Sequence, residues 1–135
     1  AALHAAVYRA GPFQFAAYEA AEEVRAVSGW GQTLRPYMDD LAQIAGIDLR
    51  CVPAGPLAVE WALRRWNAVL LRGTGALCAG ESSDDVQAVR ALLRKGCAAA
   101  LYAKEEPRCR PLSPVDAQFQ RLLFQRSYAK RRDQC

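Results

Sequence analysis

Between Trp66 and Gly80 the chain reads WNAVLLRGTGALCAG, two short apolar runs joined by glycine, threonine and glycine, and this segment limits the fold more than any other. Gly73 and Gly75 allow the positive φ that a tight connection needs, so Ala68 to Leu71 and Ala76 to Ala79 are expected as adjacent strands. The pattern changes at Ser82. Ser82 or Ser83 is suited to cap a helix, and Asp84 and Asp85 fall in its first turn, where the backbone dipole favours negative charge. Val86, Val89, Leu93, Cys97, Ala100 and Leu101 then recur at helical spacing. Gly96 interrupts that helix at a cost of ~1 kcal/mol against alanine, which implies a close neighbour in the space it leaves. Apolar strands backed by such a helix predict a layered α/β domain.

The remaining elements read less evenly. Ala2 to Ala10 is alanine-rich and helical, stopped by Gly11 and Pro12. Phe13 to Ala17 is expected as a short buried strand, and Tyr18 to Ser28 as a helix turning Glu19, Glu22, Glu23 and Arg25 outward. Gly29 and Gly31 break the chain around Trp30. From Leu34 to Gly46 only Leu41, Ile44 and Ala45 have helical spacing, and Leu49 to Val52 reads as a strand closed by Pro53 and Gly55. Pro56 suits the first turn of a helix carrying LAVEWALRRW, which is apolar on most sides and expected to be well covered. A last helix starting at Ser113-Pro114 is expected to pack Val115, Phe119, Leu122 and Leu123 inward.

With 135 residues, 52% of them hydrophobic, the chain supports one domain over 1–135 and not two. Its uncharged stretches are shorter than a membrane span, and the first residues have no signal-peptide pattern. Cys51, Cys78, Cys97, Cys109 and Cys135 form neither a CxxC pair nor a dense disulfide framework, so a reducing cytoplasm is the expected location. The net charge of +4 is mild and mixed. Its densest part, Lys130, Arg131 and Arg132, reads as a solvated terminus and not as a nucleic-acid site.

Few residues suggest chemistry. His4, the one histidine, lies on an apolar helix, where a structural role is expected over a Cys-His nucleophilic pair. Glu22 with Glu23, and Asp39 with Asp40, read as the wet faces of helices. The tyrosines Tyr18, Tyr37, Tyr102 and Tyr128, with Trp30, Trp61 and Trp66, read as core or interface residues. Gly73 to Gly75 is too short for a nucleotide-phosphate cradle. Thr74 is the best site candidate, because the flanking glycines expose its hydroxyl; Arg72 and Arg35 are candidates for holding an anionic group.

The segment WNAVLLRGTGALCAG followed by ESSDDVQAV, the opening HAAVYRA, and MDDLAQIAGIDLRCVP together resemble the class II aldolase/adducin family over most of the chain, L-fuculose-phosphate aldolase-like proteins among its members. The resemblance implies a layered α/β/α domain with a central, mostly antiparallel sheet. It also implies an N-terminal portion, usual in the family, that is lacking before Ala1. Family aldolases hold zinc with a His-x-His pair and a third histidine. The resemblance lays these positions near Tyr18 and Ala20, within a residue or so, and at Thr74, none of them histidine. Cys78, Glu19 and Asp39 lack the spacing of substitute ligands, and Cys78 is expected as a small buried hydrophobe.

A non-catalytic pseudo-aldolase acting as a binding or assembly module is therefore expected, with no metal or other cofactor and with adducin as the family precedent. The resemblance further implies a homo-oligomer, a tetramer first. The alternative is an aldolase-like lyase on a small hydroxylated or phosphorylated carbon substrate, with a missing part or partner supplying chemistry and Arg72, Gly73, Thr74 and Gly75 in the substrate cleft.

Overall fold

A computed structural model describes residues 2–133, with side chains up to residue 126. The elements are α1 (Ala2–Ala10), β1 (Phe15–Glu19), α2 (Glu22–Ser28), α3 (Asp39–Ile44), β2 (Cys51–Val52), α4 (Pro56–Leu63), β3 (Ala68–Leu71), β4 (Gly75–Gly80), α5 (Ser83–Glu105) and α6 (Pro114–Asp133). The strands form one sheet in the order β1-β4-β3-β2. β4 is antiparallel to both β1 and β3, and only the two-residue β2 runs parallel to its neighbour. The sheet is therefore mostly antiparallel, as the resemblance implied.

Every residue of β3 and β4 is buried, and alternate residues go to opposite faces. Ala68, Leu70, Ala76 and Cys78 join a core with Val24 and Val27 of α2, Leu41 of α3, and Val86, Val89, Leu93 and Cys97 of α5. Val69, Leu71, Leu77 and Ala79 join a second core with Val7 of α1 and Val59 and Leu63 of α4. Helices thus cover both faces, and the layers are α/β/α. Ser82 caps α5 by accepting from Asp85 N at 3.1 Å. Gly96 leaves room for Leu41, whose Cδ2 lies 2.5 Å from where a glycine Cβ would be. Leu101 is only half-buried, though it still packs against the first core.

Four expectations need correction. β1 begins at Phe15 and ends at Glu19, so Tyr18 and Glu19 belong to a strand and α2 starts only at Glu22; as an edge strand it buries only Glu19 and is not the buried strand expected. Pairing from Phe15↔Gly80 to Glu19↔Ala76 overrides the helical preference of alanine and glutamate there. β2 is limited to Cys51–Val52, because Leu49 forms an antiparallel bridge with Leu34 instead. α4 ends at Leu63, short of Trp66, which joins the first core, and it is covered on one side only, with Leu57 and Trp61 exposed. Along α6, Val115, Phe119, Leu122 and Leu123 are exposed, at 78%, 57%, 49% and 43%. The inward side instead carries Ala117, Gln120 and Arg121. Gln43 Nε2 donates to Gln120 Oε1, and Arg121 donates to the carbonyls of Ala42 and Gln43 at the end of α3.

β1 lies so close to the β3–β4 turn that a Cβ on Gly75, which has φ +144°, would sit 2.4 Å from the carbonyl oxygen of Glu19. Backbone cannot yield as a side-chain tip can. Gly75→Ala is expected to cost at least ~2 kcal/mol in urea unfolding, a large loss of named origin. Ala76→Gly, on the same strand, should cost about half as much.

Candidate functional site

The connection between β3 and β4 is a tight turn in which Gly73 has φ +78° and Thr74 N donates to Leu71 O at 3.0 Å. Thr74 Oγ1 donates to the same carbonyl at 3.3 Å. Gly73 N reaches Ser28 O at 3.2 Å, tying the turn to the end of α2. Arg72, Gly73 and Thr74 are exposed, whereas Gly75 is buried against β1. Arg72 lies back along the surface, with Nε 3.3 Å from the place of a Cβ on Gly31. Arg35 is elsewhere, its Nη2 donating to Leu112 O at 3.0 Å.

The end of β1 meets this turn. Tyr18 Oη donates to Thr74 O, and Ala20 Cα lies 3.3 Å from the Cβ position of Gly75. Tyr18 and Ala20, two residues apart, and Thr74, more than fifty residues on, therefore come together at one end of the sheet. Their chemistry does not fit zinc. Ala20 has no donor atom, the Tyr18 phenol and the Thr74 hydroxyl both give their protons to backbone carbonyls, and neither is a good zinc ligand when neutral. Among the described residues no group of three or more His, Cys, Asp or Glu is arranged to hold a metal ion. His4 is exposed on α1.

Beside this corner, Glu19 is 4% exposed and turned toward α5. Arg94 Nη1 donates to Glu19 Oε1 at 2.8 Å, and Arg90 Nη2 donates to Oε2 at 3.2 Å. Sequence reasoning set Glu19 on a solvated helix face and missed this cluster. The available signal was Arg90 and Arg94 at i, i+4 on α5, opposite an isolated acid at the end of an apolar strand. The carboxylate oxygens of Glu19 are committed to the two guanidinium groups, so it is an anchor of β1 on α5. Cys78 lies near it and Cys97 near Cys78, both fully buried, and burial pushes each thiol up to about 12. Burial also raises the Cys51 thiol, and the Arg72 guanidinium partly offsets this. Cys78 and Cys97 are thus buried small hydrophobes and not nucleophiles, whereas Cys51 is only partly buried.

A cavity of about 290 Å³ lies at the other end of the β3–β4 pair, lined in part by Phe13, Asn67, Glu81, Asp85 and Arg121. None of Arg72, Gly73, Thr74 and Gly75 lines it. Arg121 Nη2 donates to Asn67 Oδ1 at 3.3 Å, and its guanidinium stacks 5.0 Å from the Trp66 ring. Burial lowers its pKa. No pattern in the sequence marked Arg121, because its partners, two carbonyls of α3, Asn67 and Trp66, are all distant in sequence.

No protein-family model and no curated protein matches the sequence. Solved structures do match in shape. YgbL from Escherichia coli, provisionally described as an aldolase/epimerase/decarboxylase, superposes with a TM-score of 0.77 at 18% identity, over 89% of this chain and 63% of that one. L-Fuculose-1-phosphate aldolase from Thermus thermophilus gives 0.69 at 21% identity, over 83% of this chain and 64% of that one. L-Fuculose 1-phosphate aldolase from Glaciozyma antarctica gives 0.71 at 26% identity, over 88% and 48%. The chain has the fold of the class II aldolase-like proteins and spans less than two thirds of the length of these structures.

Two outcomes follow. Glu19→Ala is expected to destabilise by about 2–3 kcal/mol in urea unfolding, below the ~3–5 kcal/mol of a fully buried pair because Arg90 and Arg94 keep some contact with water. For the cysteines, mass spectrometry after iodoacetamide at about pH 8 should find Cys109 modified and Cys78 and Cys97 protected until denaturant is added. Both buried thiols have folded pKa values above the 9.0 of the free group, so the stability they contribute is full below pH 9.0 and falls as pH rises toward about 12.

Proposed function

We propose that this class II aldolase-like chain is a non-catalytic module that binds or assembles, and not a zinc-dependent lyase. The observation that carries the reading is the donor chemistry at the corner of β1 and the β3–β4 turn. Resemblance lays the zinc-ligand positions near Tyr18 and Ala20, within a residue or so, and at Thr74, which stand there as a phenol, a methyl group and a hydroxyl. Zinc Lewis-acid chemistry needs three or four nitrogen, sulfur or carboxylate ligands in tetrahedral reach. Replacement at all three positions leaves no single residue whose reversion restores the set.

Self-association belongs to the same reading, with a tetramer as the first expectation. Exposed Leu57, Trp61, Phe119 and Leu122 support it, since apolar surface of this kind is most stable when covered. Free cysteines support a reducing, cytoplasmic setting. A single domain over 1–135 is part of the reading as well.

Elemental analysis of protein purified without chelator is expected to find no stoichiometric zinc, and a panel of sugar phosphates should show no zinc-dependent aldol cleavage. Thr74→His alone should restore neither. Near one zinc per chain, lost on chelation together with cleavage activity, would overturn the proposal and support the lyase reading with Thr74 and Arg72 in its cleft.

A further inference from the structure

The outer side of α6 carries apolar residues that its own fold does not use. Val115, Phe119, Leu122 and Arg126 follow one another at steps of four, three and four, the a/d alternation of a helix that pairs with another helix. Leu123 flanks the seam. The three apolar members of the seam and Leu123 are between 43% and 78% exposed, while Ala117 and Arg121 hold the opposite side against α3 and Trp66. The helix is thus fixed to the domain by one side and presents a second, separate seam to the outside.

We infer that this seam pairs antiparallel with the same seam of a second copy of the chain. The inference rests on the self-association proposed above and names its surface. Charge distribution favours a second copy in this orientation. Asp116 is the acid in the first turn of α6, while Arg126, Lys130, Arg131 and Arg132 follow in its second half. A two-fold axis midway between Phe119 and Leu122 sets Phe119 opposite the partner's Leu122 and Val115 opposite the apolar stem of the partner's Arg126. Asp116 then falls one residue, ~1.5 Å along the helix axis, from the level of the partner's Arg126. Ser113 Oγ donates to Asp116 Oδ2 at 2.8 Å and so holds this carboxylate in place. Parallel pairing would instead bring the two basic halves together. Antiparallel pairing also sets the positive end of each helix dipole beside the negative end of the other.

Light scattering and sedimentation on the full chain across micromolar concentrations test this. Leu122→Glu should raise the dissociation constant at least about a hundredfold by placing two charges in the seam, and Arg126→Glu about tenfold by facing Asp116 with like charge. Leu122 is 49% exposed, so near-ultraviolet circular dichroism of the Leu122→Glu chain should match the unchanged protein. Orientation is read by cross-linking in a chain carrying Cys109→Ser and Cys135→Ser. A mixture of Phe119→Cys and Leu122→Cys chains should form a disulfide between the two types, and dominant Phe119→Cys self-linking would overturn the antiparallel pairing. A protein that self-associates but keeps its assembly in both charge variants overturns this interface and leaves the broader reading intact. A monomer at all these concentrations overturns both.

Discussion

Strands β3 and β4 are buried on both faces and joined by a turn in which Gly73 and Gly75 take positive φ. Apolar residues alternate without a polar break, so neither face can be left to water and a helical layer is required on each. α5 with α2 and α3 supplies one layer, α1 with α4 the other. β4 also has a neighbour on each edge, which makes it the member on which both β1 and β3 depend for their register. The glycine at the start of β4 admits the carbonyl of Glu19, and this contact fixes how closely the end of β1 approaches the turn.

The same approach determines what the corner can do. A strand end and a turn brought this close set the Tyr18 ring and the backbone at Ala20 against Thr74 and Gly75. The corner is taken up by hydrogen bonds within the protein, from Tyr18 to Thr74 and from Thr74 to Leu71. Immediately beside it, the Glu19 carboxylate is held by Arg90 and Arg94. Burying a charge is costly unless it is paired, and two guanidinium groups from one helix satisfy it while tying β1 to α5. The polar groups of this corner thus serve cohesion of the fold.

What could be read from the sequence was local chemistry. Gly73 and Gly75 announce their turn because positive φ excludes most other residues, and Ser82 announces α5 because its hydroxyl meets a helix N-terminus. Gly96 also signalled a close neighbour, which Leu41 provides. The stretch AAYEAAEEV could not be divided correctly, since alanine and glutamate favour helix and the strand at Tyr18 and Glu19 exists only through pairing with β4. On α6 the spacing of Val115, Phe119 and Leu122 identified an apolar side but not what covers it. Arg121 takes the inner position through carbonyls of α3 that are distant in sequence. The positions near Tyr18 and Ala20 and at Thr74 could be related to one another only by resemblance, and their meeting in space depends on β1 lying beside β4.

Anomalous diffraction at the zinc edge, from crystals grown with zinc, tests the reading of that corner most directly. The account predicts no ordered zinc within a coordination distance of about 2.0–2.3 Å of Tyr18, the Glu19 carboxylate or Thr74, and an unbroken Glu19–Arg90–Arg94 cluster. A fully occupied zinc at that spot, with Tyr18 or Glu19 turned to bind it, would contradict the account.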